Sequence, residues 1–477
     1  MGVVGGMNDG TVCSESPVSF GKQMRERYFL FEKSYINLNH GSFGAHPLPV
    51  RQELSRLQNE ADANPDKFIR STSPTYLDTC RRRVSEMLHS HCDEVVITLN
   101  ATTAINTVLR NLYFQQGDHI LMLSCVYGAV KKTAEYLAET TPVQLDEVDC
   151  TFPVADDEVI SRFRAAVRRH SSHGTSIKVA IFDTIASMPG VRLPFERLIE
   201  ECRAHGILSV VDGAHGIGCI PINLSQLRPD FFVSNCHKWL FVPRSSAVLY
   251  VPFRHQHLIR SSIPTSHSFV PRSTGFAGQR HIVNPMLLES GKSYFVTLFQ
   301  YTGTVDSTPG LCIDVALRFR AQICGGEHAI QRYCCDLARR GEVLAAGILG
   351  TEGLAIAEKN RVGFANVRLP IDNALLSSPA YCTGDTEDHD TVANRINDFL
   401  HRAMMDEYNT YIPVIFQGGA FWARFSAQIY LDLDAFAYGA AALKELCIRA
   451  NSRGAVAVLG HTGEMAGSQQ RRTTSVL

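Results

Sequence analysis

The sequence lacks a surplus of charge of either sign. Its 477 residues include 46 Lys and Arg against 47 Asp and Glu, which gives a formal net charge of -1. Proteins that bind nucleic acid or membrane surfaces through charge need an excess of Lys and Arg. We therefore expect no nucleic-acid partner and no membrane partner, and a small molecule as the ligand.

Long hydrophobic runs and regular cysteine spacings are also missing. No run of ~18 apolar residues is available to cross a bilayer, and residues 1–30 lack the charged-then-apolar pattern of a secretion signal. The 14 cysteines contain no CxxC pair with a second one at zinc-finger distance. His89, His91 and Cys92 have no distant partner ligand, so we expect no metal. These absences predict a cytoplasmic protein with reduced thiols.

The apolar pattern that is present alternates between strand and helix periods. Helical patterns cover residues 52–63, 103–113, 131–139 and 195–205, and strand patterns cover 95–98, 119–123, 179–182, 207–211, 231–234 and 247–251. Such alternation is typical of βαβ units and a mostly parallel sheet covered on both faces. The fold class is therefore α/β, and we expect catalytic groups at the carboxyl ends of the strands.

The rhythm changes near residue 326, where a long helical pattern (327–349) precedes strand patterns near 362–369 and a final helix near 435–449. We predict a smaller C-terminal α/β domain and a polar surface loop at residues 375–391. The expected division is a flexible N-terminus (1–20), a large cofactor-binding domain (21–325) whose N-terminal arm joins the small domain, the small domain (326–459) and a flexible tail (460–477).

Two segments place reactive side chains directly after apolar strands. Residues 209–218 read SVVDGAHGIG, with Asp212 and His215, and residues 229–240 read PDFFVSNCHKWL, with Lys238. A buried carboxylate and a buried ammonium are costly unless they are paired or bound to something. A lysine amine and a carboxylate on neighbouring strand ends suit pyridoxal phosphate, whose aldehyde reacts with lysine and whose ring nitrogen needs an anionic partner.

A cradle for a phosphate group is also present. The segment LNATTAINTVLRNL (99–112) joins a strand end to a helix that begins at Thr102 or Thr103, where free N–H groups and the helix dipole attract an anion. Tyr127 follows another strand end, where it could stack on the pyridine ring or act as an acid.

These motifs, together with NLNHGSFG (37–44), SMPGVR (187–192) and FWARFSAQ (421–428), resemble the class V aminotransferase family of pyridoxal phosphate enzymes over about residues 35–450. The greatest similarity is to a fungal group that includes hercynylcysteine sulfoxide lyase, isopenicillin N epimerase-like proteins and loline-type aminotransferase-like enzymes. The resemblance implies a fold-type I homodimer with active sites shared between subunits.

The resemblance also implies roles for individual residues. Lys238 is the lysine that binds the cofactor aldehyde, Asp212 pairs with the ring nitrogen, and His215 lies near the ring. Tyr127 is the stacking residue, and Arg424 binds the substrate carboxylate, for which its rigid donor fork is suited. The implied phosphate ligands are Ala101, Thr102, Thr103, Asn235, His237 and, from the other subunit, Thr304. Asn39 and His40 are expected on the substrate side.

Each residue also has a plainer interpretation. Asp212 could cap the turn before Gly213, His40 and His215 could be hydrogen-bonded structural histidines, and Tyr127 could be a core aromatic. Lys238 could be a surface lysine, Arg424 an ordinary ion-pair partner and Thr304 a loop residue. A non-enzymatic sensor on the same fold is the opposing functional class.

The reaction expected first is C–S β-lysis of a cysteine-conjugate sulfoxide, as in ergothioneine-type pathways. The alternative is a secondary-metabolism cyclase or epimerase that acts at Cα, and a transaminase also stays open. Cysteine desulfurases of this family carry a nucleophilic Cys shortly before the carboxylate-binding arginine, and residues 408–423 contain none. Desulfuration by that route is therefore not expected.

Overall fold

The computed structural model describes residues 18–173, 175–265, 269, 292–378, 381–382 and 387–452, without the side chains of residues 172–173. The tail at 460–477 and nearly all of the predicted flexible N-terminus lie outside these ranges, as does part of the predicted loop at 375–391. Within them, no helix is both long and apolar enough to cross a membrane.

The central sheet has seven strands in the order β1-β9-β8-β7-β4-β2-β3. Five neighbouring strands, from β3 to β8, run parallel, and β9 runs antiparallel to β8 and β1. A second sheet, β10-β12-β11, is antiparallel, and β5 and β6 form a short ribbon. The strands are β1 (Val95–Thr98), β2 (Asp118–Leu123), β3 (Gln144–Val148), β4 (Ser176–Asp183), β5 (Ile185–Ala186), β6 (Val191–Arg192), β7 (Leu208–Asp212), β8 (Phe231–Asn235), β9 (Ala247–Tyr250), β10 (Phe364–Arg368), β11 (Val414–Gln417) and β12 (Ala420–Ser426).

Helices connect the parallel strands and cover both sheets. They are α1 (Lys22–Tyr28), α2 (His40–Phe43), α3 (Leu48–Ala63), α4 (Pro65–Lys67), α5 (Ser73–Leu88), α6 (Ala101–Asn111), α7 (Gly128–Thr140), α8 (Asp156–His173), α9 (Phe195–Ala204), α10 (Leu224–Leu227), α11 (Cys236–Trp239), α12 (Tyr294–Gln300), α13 (Thr308–Leu311), α14 (Ile313–Gln322), α15 (Glu327–Leu349), α16 (His389–Tyr408) and α17 (Leu433–Asn451). A π-helical turn joins α4 to α5.

The predicted elements all form, with boundaries that differ by a few residues. The strand predicted at 95–98 and the helix predicted at 327–349 have the expected limits. The edge strand β3 and the helices α5, α8 and α16 were not predicted. β3 reads QLDEV, which has little of the apolar content that marks the inner strands, because an edge strand is less buried. α16 begins at His389, inside the predicted loop.

Two hydrophobic clusters occupy the interior. The first surrounds the seven-stranded sheet, and the second joins α15, α16, α17 and the small sheet. Met24, Phe29 and Leu38, near the N-terminus, pack in the second cluster. This packing is in line with an N-terminal arm that joins the small domain, although the domain limits themselves stay a prediction. Residues that follow the parallel strands lie near the small sheet: the His215 ring contacts Phe364 of β10, and Cys125 lines a cavity with Ile415 of β11.

Candidate active site

Lys238 lies in α11, the short helix that follows β8. Its Nζ is 3.2 Å from Nε2 of His215, which follows the adjacent strand β7. Desolvation lowers the pKa of Lys238 to about 8, against the opposing attraction of the Asp212 carboxylate. At a pKa of about 8, roughly a tenth of the amine is unprotonated at pH 7, and the unprotonated amine is the form that reacts with an aldehyde.

His215 is held in one protonation state by its neighbours. The indole N–H of Trp239 donates to Nδ1 of His215 at 3.1 Å, so the neutral ring carries its proton on Nε2, facing Lys238. Burial and the nearby Lys238 hold the pKa of His215 well below its usual range. The ring is therefore a neutral hydrogen-bond donor directed at the lysine amine.

Two carboxylates flank this pair on neighbouring strands. Asp183 at the end of β4 is the register partner of Asp212 at the end of β7, and both are buried. Burial raises the pKa of each, and the Asp212 charge raises that of Asp183 further. Asp212 Oδ1 accepts the Ala214 N–H at 2.8 Å, while Oδ1 of Asp183 has no partner among the described residues. Sequence reasoning missed Asp183, although it too follows an apolar strand.

The start of α6 lies beside the end of β8, and Asn100 caps this helix by accepting the Thr103 N–H at 2.8 Å. Asn235 Oδ1 accepts the Ala101 N–H at 2.9 Å, which joins this helix end to the strand that leads to Lys238. Both of these amides are therefore occupied. The Thr102 amide and the Thr102 and Thr103 hydroxyls are the groups left for an anion, and Asn235 positions the helix.

His237 lies two residues after Asn235, the residue that contacts the start of α6. Its Nδ1 contacts the Ser246 carbonyl at 3.1 Å, which leaves Nε2 available for another ligand, and burial lowers its pKa to about 4.

Arg424, on β12, is buried and faces the cleft from the small sheet. Its Nη2 donates to Asn39 Oδ1 and Ser42 Oγ at 3.2 Å each, and Nη1 donates to the Ser187 carbonyl. Its Nε has no partner, and no described carboxylate lies within ion-pair distance. Desolvation lowers its pKa to about 10. A buried cation without a counter-charge is expected to bind an anionic ligand.

The segment NLNHGSFG (37–44) packs against the backbone of His237 and Lys238. His40 Nε2 contacts the Lys238 carbonyl at 2.6 Å, and its Nδ1 contacts the Tyr430 hydroxyl at 2.8 Å. Gly44 has φ +66°, and a Cβ there would lie 1.6 Å from the His237 carbonyl oxygen. The structure thus places His40 behind the lysine with both ring nitrogens occupied, whereas its neighbour Asn39 contacts Arg424.

Tyr127 and Thr304, two of the predicted site residues, are both exposed to solvent. Tyr127 is 50% exposed, precedes α7 and lines a cavity of about 340 Å³ together with Ser187 and Met188. Its backbone N–H is bonded to Asp183. Thr304 lies on the surface, where its hydroxyl contacts that of Tyr301 at 2.9 Å. Within the part of the chain that the structure describes, no hydrogen bond joins Thr304 to the residues around Lys238.

The cleft fits pyridoxal phosphate in three respects. A partly deprotonated lysine is available for the aldehyde, and two buried carboxylates lie on the neighbouring strands. A helix start with free hydroxyl groups contacts the end of the strand that leads to the lysine. The unpartnered oxygen of Asp183 and the unpartnered Nε of Arg424 are buried polar atoms that a ligand can satisfy.

Comparisons with known proteins agree with this fit. Residues 49–269 match the family model described as aminotransferase class-V. The L-cysteine desulfhydrase-like protein lolT1 of Epichloe uncinata is 38% identical over 90% of this chain and 96% of its own length. Hercynylcysteine sulfoxide lyase of Schizosaccharomyces pombe is 29% identical over 90% of this chain and 98% of its own length.

Among solved structures, the complex of the cystine C–S lyase C-DES with cysteine persulfide superposes with a TM-score of 0.63. The match covers 87% of this chain and 98% of that one, at 17% sequence identity, and it confirms the predicted fold. Because the match to lolT1 runs through nearly the whole of both sequences, and the cleft carries the groups that the cofactor needs, the chain belongs to the class V aminotransferase family of pyridoxal phosphate enzymes.

Proposed function

We propose that this enzyme is a C–S β-lyase that acts on an amino acid carrying a sulfur substituent at Cβ, with a cysteine-conjugate sulfoxide as its substrate. The observation that carries the proposal is the buried, uncompensated Arg424 opposite Lys238, because it selects an α-carboxylate and directs the adjacent Cα toward the lysine. The names of the two relatives, a desulfhydrase-like protein and a sulfoxide lyase, both refer to C–S cleavage.

Bound pyridoxal phosphate supplies an electron sink that stabilises negative charge at Cα. Lys238 would hold the cofactor aldehyde and would accept the Cα proton, for which an amine of pKa about 8 is well matched. Asp212 would pair with the ring nitrogen, and neutral His215 would donate a hydrogen bond from Nε2 without adding a second positive charge beside Lys238. Thr102 and Thr103 at the start of α6 would hold the phosphate, with Ala101 and Asn235 fixing that helix end and His237 beside it.

We assign to Tyr127 the role of stacking on the ring or of protonating the departing sulfur group, and its position in the lining of the cavity supports that assignment. Cys125 and Cys150 line the same cavity. A hydrogen bond with Cys150, together with burial, raises the pKa of Cys125 well above its usual value, so it stays a thiol. Sulfur transfer to a protein cysteine needs a thiolate. We therefore expect the sulfur product to leave the enzyme free.

The test is incubation of the holoenzyme with a cysteine-conjugate sulfoxide in deuterated buffer, followed by an assay for pyruvate and by NMR of the remaining substrate. Pyruvate that forms with wild-type protein and not with Lys238→Ala supports C–S lysis. Deuterium at Cα without pyruvate would contradict the proposal and would favour the epimerase or cyclase alternative.

The homodimer and the role of Thr304 at a partner's phosphate are also proposals. The surface position of the Tyr301–Thr304 segment is compatible with a contact between subunits. Sedimentation of the holoenzyme is expected to give twice the chain mass, and Thr304→Ala is expected to weaken cofactor binding. A monomer with full activity would contradict both.

A further inference from the structure

Two groups of metal-binding side-chain types lie outside the cleft, among the described residues. The first consists of the consecutive residues His91, Cys92 and Asp93. Asp93 Oδ1 already pairs with Arg81 at 2.9 Å, and His91 Nδ1 accepts the Asp93 N–H at 3.1 Å. Since the Asp93 carboxylate is already paired with Arg81 and the three residues are consecutive in sequence, this group carries no proposal.

The second group combines His119 on β2, Asp146 on β3 and His170 on α8. Asp146 Oδ2 is 2.5 Å from His119 Nδ1 and 3.3 Å from His170 Nε2, and the two imidazole rings lie 4.3 Å apart. His119 is only 7% exposed. Three segments that are distant in sequence therefore direct two imidazoles at one carboxylate oxygen.

The number of available hydrogen-bond donors indicates that Nδ1 of His170 carries a proton. Its Nδ1 is 2.8 Å from Thr175 Oγ1, and that hydroxyl is placed to donate to the His170 carbonyl at 3.4 Å. A hydroxyl has one proton, so both contacts are made only if Nδ1–H is the donor. His170 Nε2 then faces the Asp146 carboxylate at 3.3 Å, and a favourable contact there needs either a proton on Nε2 or a metal ion bound between the two atoms.

His119 gives the second indication. Its Nε2 is buried and has no hydrogen-bond partner among the described residues, although Nδ1 contacts Asp146. Histidine that is buried only for structural reasons normally satisfies both nitrogens. An ion at Nδ1 would leave Nε2 unsatisfied, so the feature that favours an ion is the direction of Nδ1 in this buried ring, toward the Asp146 carboxylate.

We propose that His119, Asp146 and His170 bind a divalent transition-metal ion of the zinc type, which ties β2 and the edge strand β3 to the carboxyl end of α8. Around tetrahedral zinc, bond lengths of about 2.0–2.1 Å place neighbouring ligand atoms about 3.3–3.4 Å apart, which matches the Asp146–His170 separation. The His119–Asp146 contact opens by about 0.8 Å when an ion replaces the shared proton.

The ligand set suits this class of ion. Two imidazoles and one carboxylate are typical of zinc and cobalt rather than of calcium or magnesium, which prefer oxygen. The Thr175 contact to His170 Nδ1 is the outer hydrogen bond that commonly orients a metal-binding histidine. His119 lies near the start of β2, whereas the cofactor cleft follows the ends of the strands, so the site is structural and separate from catalysis.

The experiment uses holoenzyme treated with a chelator and then titrated with Co²⁺ or Zn²⁺. Binding is followed by calorimetry, by the visible spectrum of Co²⁺ and by the thermal midpoint. We expect one equivalent to bind, a Co²⁺ spectrum without thiolate charge-transfer bands and a rise in the midpoint. The spectrum matters because the chain has 14 cysteines that could bind the same ions.

Asp146→Asn and His170→Gln test the assignment, and His91→Ala is the matched control from the first group. We expect affinity to fall at least tenfold in the two test variants and to stay unchanged in the control. Equal affinity in all four proteins, thiolate bands, or no binding to the wild type would each overturn the proposal.

Discussion

The cleft has two walls that are built in different ways. The sheet wall consists of Asp212, His215 and Lys238, with Asp183 beside them, and comes from successive parallel strands and the turns that follow them. The arginine wall consists of Asn39, Ser187 and Arg424, and comes from segments that are hundreds of residues apart in sequence. One wall is thus assembled by local chain order and the other only by long-range packing.

The two walls also differ in electrostatic balance. The Asp212 carboxylate, on the strand next to the one that leads to Lys238, attracts the lysine charge, so the sheet wall contains a counter-charge before any ligand binds. Among the described residues, Arg424 donates hydrogen bonds to neutral oxygens only, and its guanidinium carbon lies 4.6 Å from the centre of the Phe364 ring. Under the proposed function, the sheet wall would carry out proton transfer and the arginine wall would bind the carboxylate of the substrate.

Removing the amine from the sheet wall is expected to have the largest effect. Lys238→Ala eliminates both the covalent bond to the cofactor and the base, so turnover should fall by about 10³-fold or more. Pyruvate release and the visible absorbance of lysine-bound cofactor are the measurements. If that absorbance persisted in the variant, Lys238 would not be the lysine that binds the cofactor.

A conservative change in the arginine wall is expected to have the next largest effect. Arg424→Lys keeps the charge but loses the planar fork, and kcat/KM should fall by about 10–100-fold because charged hydrogen bonds contribute roughly 1.5–3 kcal/mol each. The visible spectrum of the resting holoenzyme should not change. A substrate amine without a carboxylate serves as the control, and an equal loss with that amine would argue against carboxylate recognition.

The pH dependence of cofactor binding tests the sheet wall without the arginine wall, because it depends on the ionisation of Lys238. Since the pKa of Lys238 is lowered to about 8, the unprotonated fraction in apoenzyme rises about tenfold per unit below that pH and levels off above it. The rate of covalent cofactor binding should follow the same curve. A simple alkylamine, measured in parallel, corrects for ionisation of the cofactor. A rate that still rises steeply above pH 9 would contradict the lowered pKa.

The smallest expected effect comes from Trp239→Phe, which removes the hydrogen bond to His215 Nδ1 while keeping the aromatic packing. Because that bond favours the neutral ring, its loss should raise the pKa of His215 and move the acidic limb of the pH–rate profile to higher pH. Turnover should fall by up to about tenfold, as expected for one neutral hydrogen bond. An unchanged profile would show that Trp239 does not control the protonation of His215.

The family, the cofactor and the fold class were predicted from sequence and are confirmed. The roles of individual residues stay predictions, although Asp212, His215, Asn235 and Lys238 do lie together as expected. They could be placed because each directly follows an apolar strand, and parallel strands end at one edge of a sheet.

The tertiary structure decided the features that depend on side-chain packing. It placed Asp183 next to Asp212, turned His40 toward the Lys238 backbone and left Arg424 without a counter-charge. Sequence by itself determined the order of strands and helices and the types of reactive groups, since these depend on local periodicity. Which buried groups are paired and which are left for a ligand depends on contacts between distant segments, and only the folded chain determines those contacts.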